Sequence, residues 1–177
     1  MPRKQCAYSL YELLLTLSLV AIIAGLGIPS FSRIAARSAM HAEINALFHA
    51  VHLARKESIM RKRVVSLCPS RDLTTCSPGE DWTPGWLMFE NTDLDSPPRR
   101  DPGEPLLQAH RVGETVRITA NRRGFTLRAT HKRATNGTFI VCDREGRTAP
   151  VALVVSYTGR PRVAEKTPRG EPYFCAD

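Results

Sequence analysis

The sequence lacks the residue patterns that usually mark a catalytic or a metal centre. It contains no recognisable pairing of a nucleophile with a base and no glycine-rich loop of the kind that cradles phosphates. No Cys-x-x-Cys pair occurs, and no histidine stands at ligand spacing beside the cysteines, which argues against a zinc site. These absences predict a protein that is not an enzyme and that uses neither a metal nor a cofactor.

Charged residues are also missing from one long stretch near the N-terminus. None occurs from Leu13 to Ser32, a run of 20 positions. As a helix rising about 1.5 Å per residue, this run is roughly 30 Å long, which is enough to cross the hydrocarbon core of a bilayer. Glu12 stands at its start, where a carboxylate held in a membrane needs a partner. The stretch is therefore a candidate membrane span with an unusual acidic residue at its N-terminal end.

Three interpretations of this segment compete. A cleaved secretory signal peptide has a shorter apolar core with a small-residue site after it, whereas here Cys6-Ala7 precedes the core. A simple one-pass anchor leaves Glu12 without a purpose. The third interpretation fits best, because a short basic stretch, then Ala7-Tyr8 and then Glu12 resemble the class III leader of type IV pilins. That family more often has Gly and Phe where this chain has Ala7 and Tyr8.

The resemblance implies a processed and assembled protein. Residues 1–7 would be a leader that a prepilin peptidase removes after Ala7, and the same enzyme would methylate Tyr8. Glu12 would meet the N-terminal amine of a neighbouring pilin during assembly. Residues 8–32 would be the transmembrane and assembly part of a long helix. The protein is then expected as a single-pass protein of the inner membrane, with its headpiece in the periplasm and, after assembly, on the pilus or cell surface.

Beyond the membrane span, apolar residues recur at helical spacing. This stripe consists of Ile44, Leu47, Phe48, Val51 and Ala54. It predicts one helix over residues 8–63 and a β-rich headpiece over residues 64–177. The run Leu53–Ile59 followed by Val65–Ser70 resembles the minor pilins and pseudopilins of the FimT/GspH type. That resemblance implies an α+β, type IV pilin-like fold, in which the long helix packs on an antiparallel β-sheet.

Charge is sorted unevenly along the chain, which has 25 Lys and Arg against 17 Asp and Glu. Residues 31–63 hold 7 basic and 2 acidic groups, and residues 64–105 hold 3 and 8. Residues 106–177 hold 13 basic and 6 acidic groups, a net charge of +7. The C-terminal part is therefore a candidate for binding an anionic partner.

Four cysteines remain once Cys6 leaves with the leader. An even number in an exported chain predicts disulfides, and three connectivities are possible. A local pairing would close a short loop in the first half of the headpiece, and a second bond would tie the C-terminus to a strand. The four residues are Cys68, Cys76, Cys142 and Cys175.

The β-rich end alternates polar and apolar residues from 115 to 130, with a turn sequence at Asn121–Gly124, which predicts a β-hairpin. A symmetric hairpin would set Arg117 opposite Arg128. Like charges opposed across strands are destabilising by up to about 1 kcal/mol, so this pair would favour a nearby acid such as Glu114 or an anionic ligand. Further strands are predicted at residues 64–68, 86–89, 137–142 and 151–157.

A proline-containing loop and two tryptophans in the headpiece are expected to have structural roles. Residues 91–105 contain four prolines and no sustained apolar pattern, which predicts an irregular, solvated loop. Trp82 and Trp86 could stack on a sugar or a base, but tryptophans in such positions are more often part of the core.

One motif in the basic end has a specific chemistry. Residues 158–162, Thr-Gly-Arg-Pro-Arg, follow directly after a strand that is nearly all apolar. Gly159 permits a tight turn, and Pro161 stiffens the chain between two arginines, whose planar guanidinium groups suit phosphate oxygens. The motif resembles the Gly-Arg-x-Arg of the FimT branch of minor pilins, which implies DNA binding during uptake in natural transformation.

On this interpretation Gly159, Arg160 and Arg162 form the primary DNA site. Secondary phosphate contacts, chosen by charge and predicted face, are Arg117, Arg128, Lys132, Arg133 and Arg144. Binding is expected to be largely independent of sequence, since nothing resembles a recognition helix, and to weaken steeply with salt. The alternative is a structural minor pilin or type II secretion pseudopilin that initiates or caps a filament without binding DNA.

Overall fold

The structure, a computed structural model, describes residues 9–129 and 133–175, apart from the side chains of residues 26–29. Over these ranges a long helix is followed by short strands, as the predicted α+β class requires. The elements in chain order are α1 (Leu10–Arg61), β1 (Val65–Pro69), β2 (Gly85–Glu90), β3 (Leu106–Arg111), β4 (Val116–Ala120), β5 (Phe125–Leu127), β6 (Gly137–Asp143), β7 (Val151–Val155) and β8 (Pro161–Ala164).

Helix α1 begins with a capping box. The Ser9 backbone N–H donates to Glu12 Oε2 at 3.3 Å, and the Glu12 backbone N–H donates to Ser9 Oγ at 3.2 Å. This reciprocal pair satisfies two amides that a helix start otherwise leaves without partners. At the other end Lys62 adopts a φ of 54°, the left-handed conformation that commonly terminates helices. Glu12 therefore has a local structural role that the sequence interpretation did not foresee.

The chain divides between Ala35 and Ala36 into two units. In the first unit the helix carries exposed apolar side chains, such as Leu14 and Ile22, each more than half exposed. By length and composition this helix could cross a membrane. Apolar side chains that face outward on every side are what a helix surrounded by lipid requires.

The second unit contains the rest of α1 and two four-stranded antiparallel sheets. The strand order is β3-β2-β1-β5 in the first sheet and β4-β6-β7-β8 in the second. The four further strands predicted from the sequence are present with slightly shifted ends, whereas β3 and β8 were not predicted. Strand β8 starts at Pro161, which lacks a donor for the ladder and is tolerated here because β8 is an edge strand.

The core forms where α1 meets both sheets. Four of the five stripe residues are at most 1 % exposed, and Phe48 is half-buried against them. Trp82 and Trp86 are fully buried, which confirms their assignment to the core. The Trp82 ring lies 5.8 Å from Phe125 in the first sheet and 4.8 Å from Phe139 in the second. These aromatic rings therefore join the two sheets.

Of the three possible disulfide connectivities, the structure has the one that closes a short loop and ties the C-terminus to a strand. Cys68 of β1 bonds to Cys76 across a separation of 8 residues, and Cys142 of β6 bonds to Cys175 across 33 residues. The second bond fastens the C-terminal tail to the middle of the second sheet.

The hairpin predicted over residues 115–130 is wrong. Strand β4 pairs with β6, so that Arg117 stands opposite Cys142, and β5 pairs with β1 in the other sheet. Arg117 is therefore not opposite Arg128. The physical reason is burial: Thr126, expected on a polar face, is 7 % exposed, and its hydroxyl lies 3.1 Å from that of Ser66. The turn at 121–124 carries the chain from one sheet to the other.

The loop at residues 91–105 is more ordered than predicted. Glu104 is 4 % exposed, and its carboxylate accepts hydrogen bonds from the backbone N–H groups of Thr92 and Asp101. Asn91 is equally buried and donates to Asp95 Oδ1 at 3.0 Å. The loop satisfies its own backbone through these side chains, which is how an irregular segment can pack without strands.

Candidate functional site

The predicted motif lies in the turn that connects β7 to β8, at one end of the second sheet. The Gly159 N–H donates to the Ser156 carbonyl at 2.8 Å, and the Ser156 N–H donates to the Arg160 carbonyl at 3.0 Å. The Ser156 hydroxyl also accepts from the Arg160 N–H at 3.2 Å and lies 2.8 Å from the Thr158 hydroxyl. The backbone that carries Arg160 is therefore fixed by its own turn.

Gly159 is buried and has a φ of +71°, in the left-handed region that favours glycine. A Cβ atom at this position would lie 2.8 Å from Leu127 Cδ1 and 3.8 Å from Arg55 Cδ. A side chain here would have to displace Leu127 Cδ1, whereas the distance to Arg55 is an ordinary van der Waals contact. The turn is thus pressed against β5, and the Arg55 side chain, which the sequence interpretation did not include, passes beside it.

The two motif arginines are both exposed, and the residue between them is buried. Pro161 stands opposite Val155 and Arg162 opposite Val154 in the β7–β8 ladder. Because side chains alternate along a strand, the buried Pro161 leaves Arg160 and Arg162 facing outward. The motif therefore presents two guanidinium groups to solvent from a fixed edge strand.

A cation–aromatic contact lies next to this turn. The guanidinium carbon of Arg133 is 5.4 Å from the ring centroid of Tyr157, a side chain that is 59 % exposed. The Ala134 N–H donates to the Tyr157 carbonyl at 2.9 Å, which holds the segment bearing Arg133 against the turn. Lys132 lies outside the described residues. Arg128 directly follows Leu127, the residue that contacts Gly159, so its backbone belongs to the same end of the molecule.

The other two predicted arginines lie elsewhere. Arg117 stands opposite Cys142, and the Arg144 backbone N–H donates to the Thr115 carbonyl. Both positions are at the end of β6 remote from Gly137, which stands opposite Val155 beside the turn. At about 3.3 Å per residue, the length of β6 separates the two ends by roughly 20 Å. The structure thus gathers Arg128, Arg133, Arg160 and Arg162 and sets Arg117 and Arg144 apart.

Arg147, near Arg144, is engaged within the protein. Its guanidinium donates to both carboxylate oxygens of Asp143, at 2.7 and 3.0 Å, and the Asp143 side chain is 1 % exposed. Hydrogen bonding from Arg147 lowers the pKa of Asp143 below its ordinary value. This pair closes the turn after β6 and is a structural element.

The remaining predicted positions concern processing and assembly at the N-terminus. Ala7 and Tyr8 lie outside the described residues, and Glu12 forms the capping box at the start of α1. Within residues 9–129 and 133–175, no three His, Cys, Asp or Glu side chains come together in a way that could hold a metal ion.

Comparisons with known proteins bear on the fold. The family model described as type II transport protein GspH matches residues 43–159. The crystal structure of the type IV minor pilin FimU of Pseudomonas aeruginosa is 21 % identical, with a TM-score of 0.52, and the match covers 75 % of this chain and 90 % of FimU. The minor pseudopilin EpsH from the type 2 secretion system of Vibrio cholerae is 10 % identical, with a TM-score of 0.51 and coverage of 70 % and 94 %. Among curated proteins, none gives a significant match.

Proposed function

The chain belongs to the GspH family, and from this premise we propose that it is a minor pilin that offers the turn at residues 156–162 to the phosphate backbone of DNA. Minor pilins and pseudopilins of this kind assemble with other pilins, and they are structural proteins without enzymatic activity. The apolar N-terminal helix fits a membrane-anchored pilin. DNA binding in support of natural transformation is the further role proposed for this subunit.

One observation carries the proposal: Arg160 and Arg162 are both exposed on a backbone that its own hydrogen bonds fix. A backbone fixed in this way need not be ordered when the two guanidinium groups meet phosphate oxygens, which their planar geometry matches. Arg128 and Arg133 add positive charge at the same end. Contacts of this kind recognise the phosphate backbone and not the bases, so binding should be independent of sequence.

The alternative is a pseudopilin or minor pilin that initiates or caps a filament without binding DNA. The specific observation in its favour is that the family match ends at Gly159, just before Arg160 and Arg162. Membership in the family therefore implies assembly with other pilins and does not by itself imply DNA binding. Only a binding measurement separates the two functions.

The test compares the full chain in a neutral detergent with the variant Arg160→Gln/Arg162→Gln. DNA affinity is measured by fluorescence anisotropy between about 50 and 200 mM salt. Loss of two phosphate contacts should make the slope of log K against log salt shallower by about 1.8 and weaken binding about tenfold or more. The control is Arg111→Gln/Arg169→Gln, which removes the same charge at two exposed positions outside the turn.

Three outcomes are distinguishable. A loss in the turn variant and none in the control supports the proposed site. Equal losses in both variants would mean that net charge alone attracts DNA, and the assignment of Arg160 and Arg162 would fail. Absence of binding in the unaltered chain would favour the filament-only function.

The processing steps are also proposals. We expect a prepilin peptidase to cut after Ala7 and to methylate Tyr8, which would leave Glu12 as the fifth residue of a chain anchored in the inner membrane. Mass spectrometry of protein extracted from membranes should find a methylated N-terminal tyrosine. An N-terminus at Met1 in cells that have the peptidase would contradict this expectation.

A further inference from the structure

A groove runs beside the loop at residues 91–105. Its first part is a cavity of about 560 Å³ between residues 76–79 and residues 95–99. Its second part is a cavity of about 450 Å³ that reaches the turn at 121–124 and ends at Thr135 and Asn136. Residues 96–98 and Arg123 line both cavities. The two cavities therefore adjoin, and together they are called the groove.

The walls of this groove are fixed before any ligand arrives. A Cβ atom on Gly124 would lie 2.3 Å from Pro98 Cγ, so the 121–124 turn and the proline-containing loop pack too closely for a side chain there. The Trp82 indole N–H donates to the Arg122 carbonyl at 3.2 Å, and Arg122 Nε donates to the Asn136 carbonyl at 3.0 Å. A buried tryptophan thus anchors one wall, and a preformed groove orders few groups on binding.

The charges of the groove favour an anion. Arg99, Arg122 and Arg123 line it, against two carboxylates. One of these, Asp95, is turned into its own loop, where Oδ2 accepts from the Arg99 N–H at 2.8 Å and Oδ1 from an asparagine amide. The other, Glu80, is exposed on the groove wall. Arginines spaced along one groove match the regularly repeated phosphates of a nucleic-acid backbone.

The groove ends near the turn at residues 156–162. Its end at Thr135 and Asn136 is followed directly by Gly137, which stands opposite Val155 of β7. Strand β8, with Arg162, is the next neighbour of β7. At about 4.8 Å between neighbouring strands, β6 and β8 are roughly 10 Å apart, the span of one or two phosphate steps of a strand.

We propose that this groove binds one phosphodiester strand and extends the DNA site of the turn, with Arg99, Arg122 and Arg123 as additional phosphate contacts. The inference rests on the proposed function, because the turn at residues 156–162 supplies the other phosphate contacts of the same DNA site. The same strand can come from single-stranded DNA or from one edge of a duplex, and the experiment tests both.

The test uses the full chain in a neutral detergent, with one oligonucleotide supplied single-stranded and as a duplex. The variant Arg99→Gln/Arg122→Gln/Arg123→Gln should weaken binding of at least one form about tenfold or more and make its salt slope shallower by about 2 to 3. Because Arg122 also bonds to backbone, a second variant, Arg99→Gln/Arg123→Gln, keeps that bond. It should show about two thirds of the slope change.

A variant of opposite sign sharpens the test. Glu80→Gln removes the exposed carboxylate from the groove and should tighten binding about twofold to threefold. Glu145→Gln removes a carboxylate that is exposed on the turn after β6 and should change the affinity little.

The outcomes separate this inference from the proposed function. One outcome is that Arg160→Gln/Arg162→Gln weakens DNA binding while neither groove variant changes the affinity or the salt slope. That outcome would overturn the proposal that the groove binds DNA and would leave the proposed turn site supported. If the groove variants weaken binding and the turn variant does not, the groove is the site and the proposed turn site fails. A tightening by Glu145→Gln equal to that by Glu80→Gln would also overturn the groove, because it would show a general charge effect.

Discussion

Replacing Gly159 by alanine should destabilise the second unit more than the same replacement at Gly146. Both glycines have left-handed backbones, with φ of +71° at Gly159 and +66° at Gly146. Both donate their N–H to the carbonyl three residues earlier, within turns that connect neighbouring strands of the second sheet. They differ in their surroundings, since a Cβ on Gly146 meets nothing within 4 Å whereas one on Gly159 meets Leu127 Cδ1 at 2.8 Å. Comparing the two alanine variants therefore separates the free-energy cost of the left-handed backbone from the cost of overpacking.

The expected magnitudes follow from these two terms. Placing alanine in the left-handed region costs about 1–2 kcal/mol, and this is the whole cost expected at Gly146. At Gly159 the new methyl group also overpacks the contact with Leu127, which typically adds about 1–3 kcal/mol. Gly159→Ala should therefore reduce the free energy of unfolding by about 2–5 kcal/mol. For a unit of this size the midpoint temperature should fall on the order of 10 °C.

The assay is urea and thermal unfolding of residues 36–177 under oxidising conditions, followed by circular dichroism and tryptophan fluorescence. A second readout is DNA affinity at low temperature, where Gly159→Ala should weaken binding because it displaces the backbone that carries Arg160. Equal destabilisation by the two alanine variants would refute the reasoning, since it would show that the contact between the turn and β5 adds nothing.

Three further predictions concern the second unit. Cys142→Ser/Cys175→Ser opens a loop of 33 residues and should lower the free energy of unfolding by about 3–4 kcal/mol, measured by urea unfolding with and without reductant. Asp143→Asn should cost about 1–3 kcal/mol at pH 6. Because the folded-state pKa of Asp143 is lowered, its contribution is present above its ordinary pKa of about 4 and is lost as pH falls below it through the lowered folded-state pKa. The difference from the unaltered protein should therefore shrink steadily on acidification below about pH 4. Trp82→Phe leaves a backbone carbonyl of the 121–124 turn without its indole donor and should cost about 1–3 kcal/mol; an unchanged midpoint would mean that this bond does not anchor the turn.

The helix and its boundaries were predictable because each depends on local sequence. An uncharged run of fixed length predicts a spanning helix, and the apolar spacing after it predicts the face that α1 buries from Ile44 to Ala54. Trp82 and Trp86 were assigned to the core because tryptophan side chains are usually buried, and both are buried here. The motif arginines Arg160 and Arg162 were singled out because residues 158–162 resemble a family motif, and the structure shows both of them exposed.

The strand pairing was not predictable from the same kind of information. Pairing β4 with β5 follows the rule that neighbouring strands usually form hairpins, but the partner of β5 is β1, some 60 residues earlier. The close approach of Pro98 to Gly124 that fixes the turn depends on a loop distant in sequence. Strand β8 is short, begins with proline and lies at an edge, so it carries no periodic signal. Arg55 was missed for a similar reason, because only the folded chain places it beside Gly159.

The aromatic rings that join the two sheets have a mechanical consequence. Phe125 and Phe139 stack at 4.3 Å with Trp82 across both, so one ring cluster belongs to both sheets at once. Loss of packing in one sheet would expose rings that belong to the other, so we expect the second unit to unfold as a single cooperative unit. Under a pulling force, the second unit is expected to stay folded up to a threshold force and then to unfold in one step, not strand by strand.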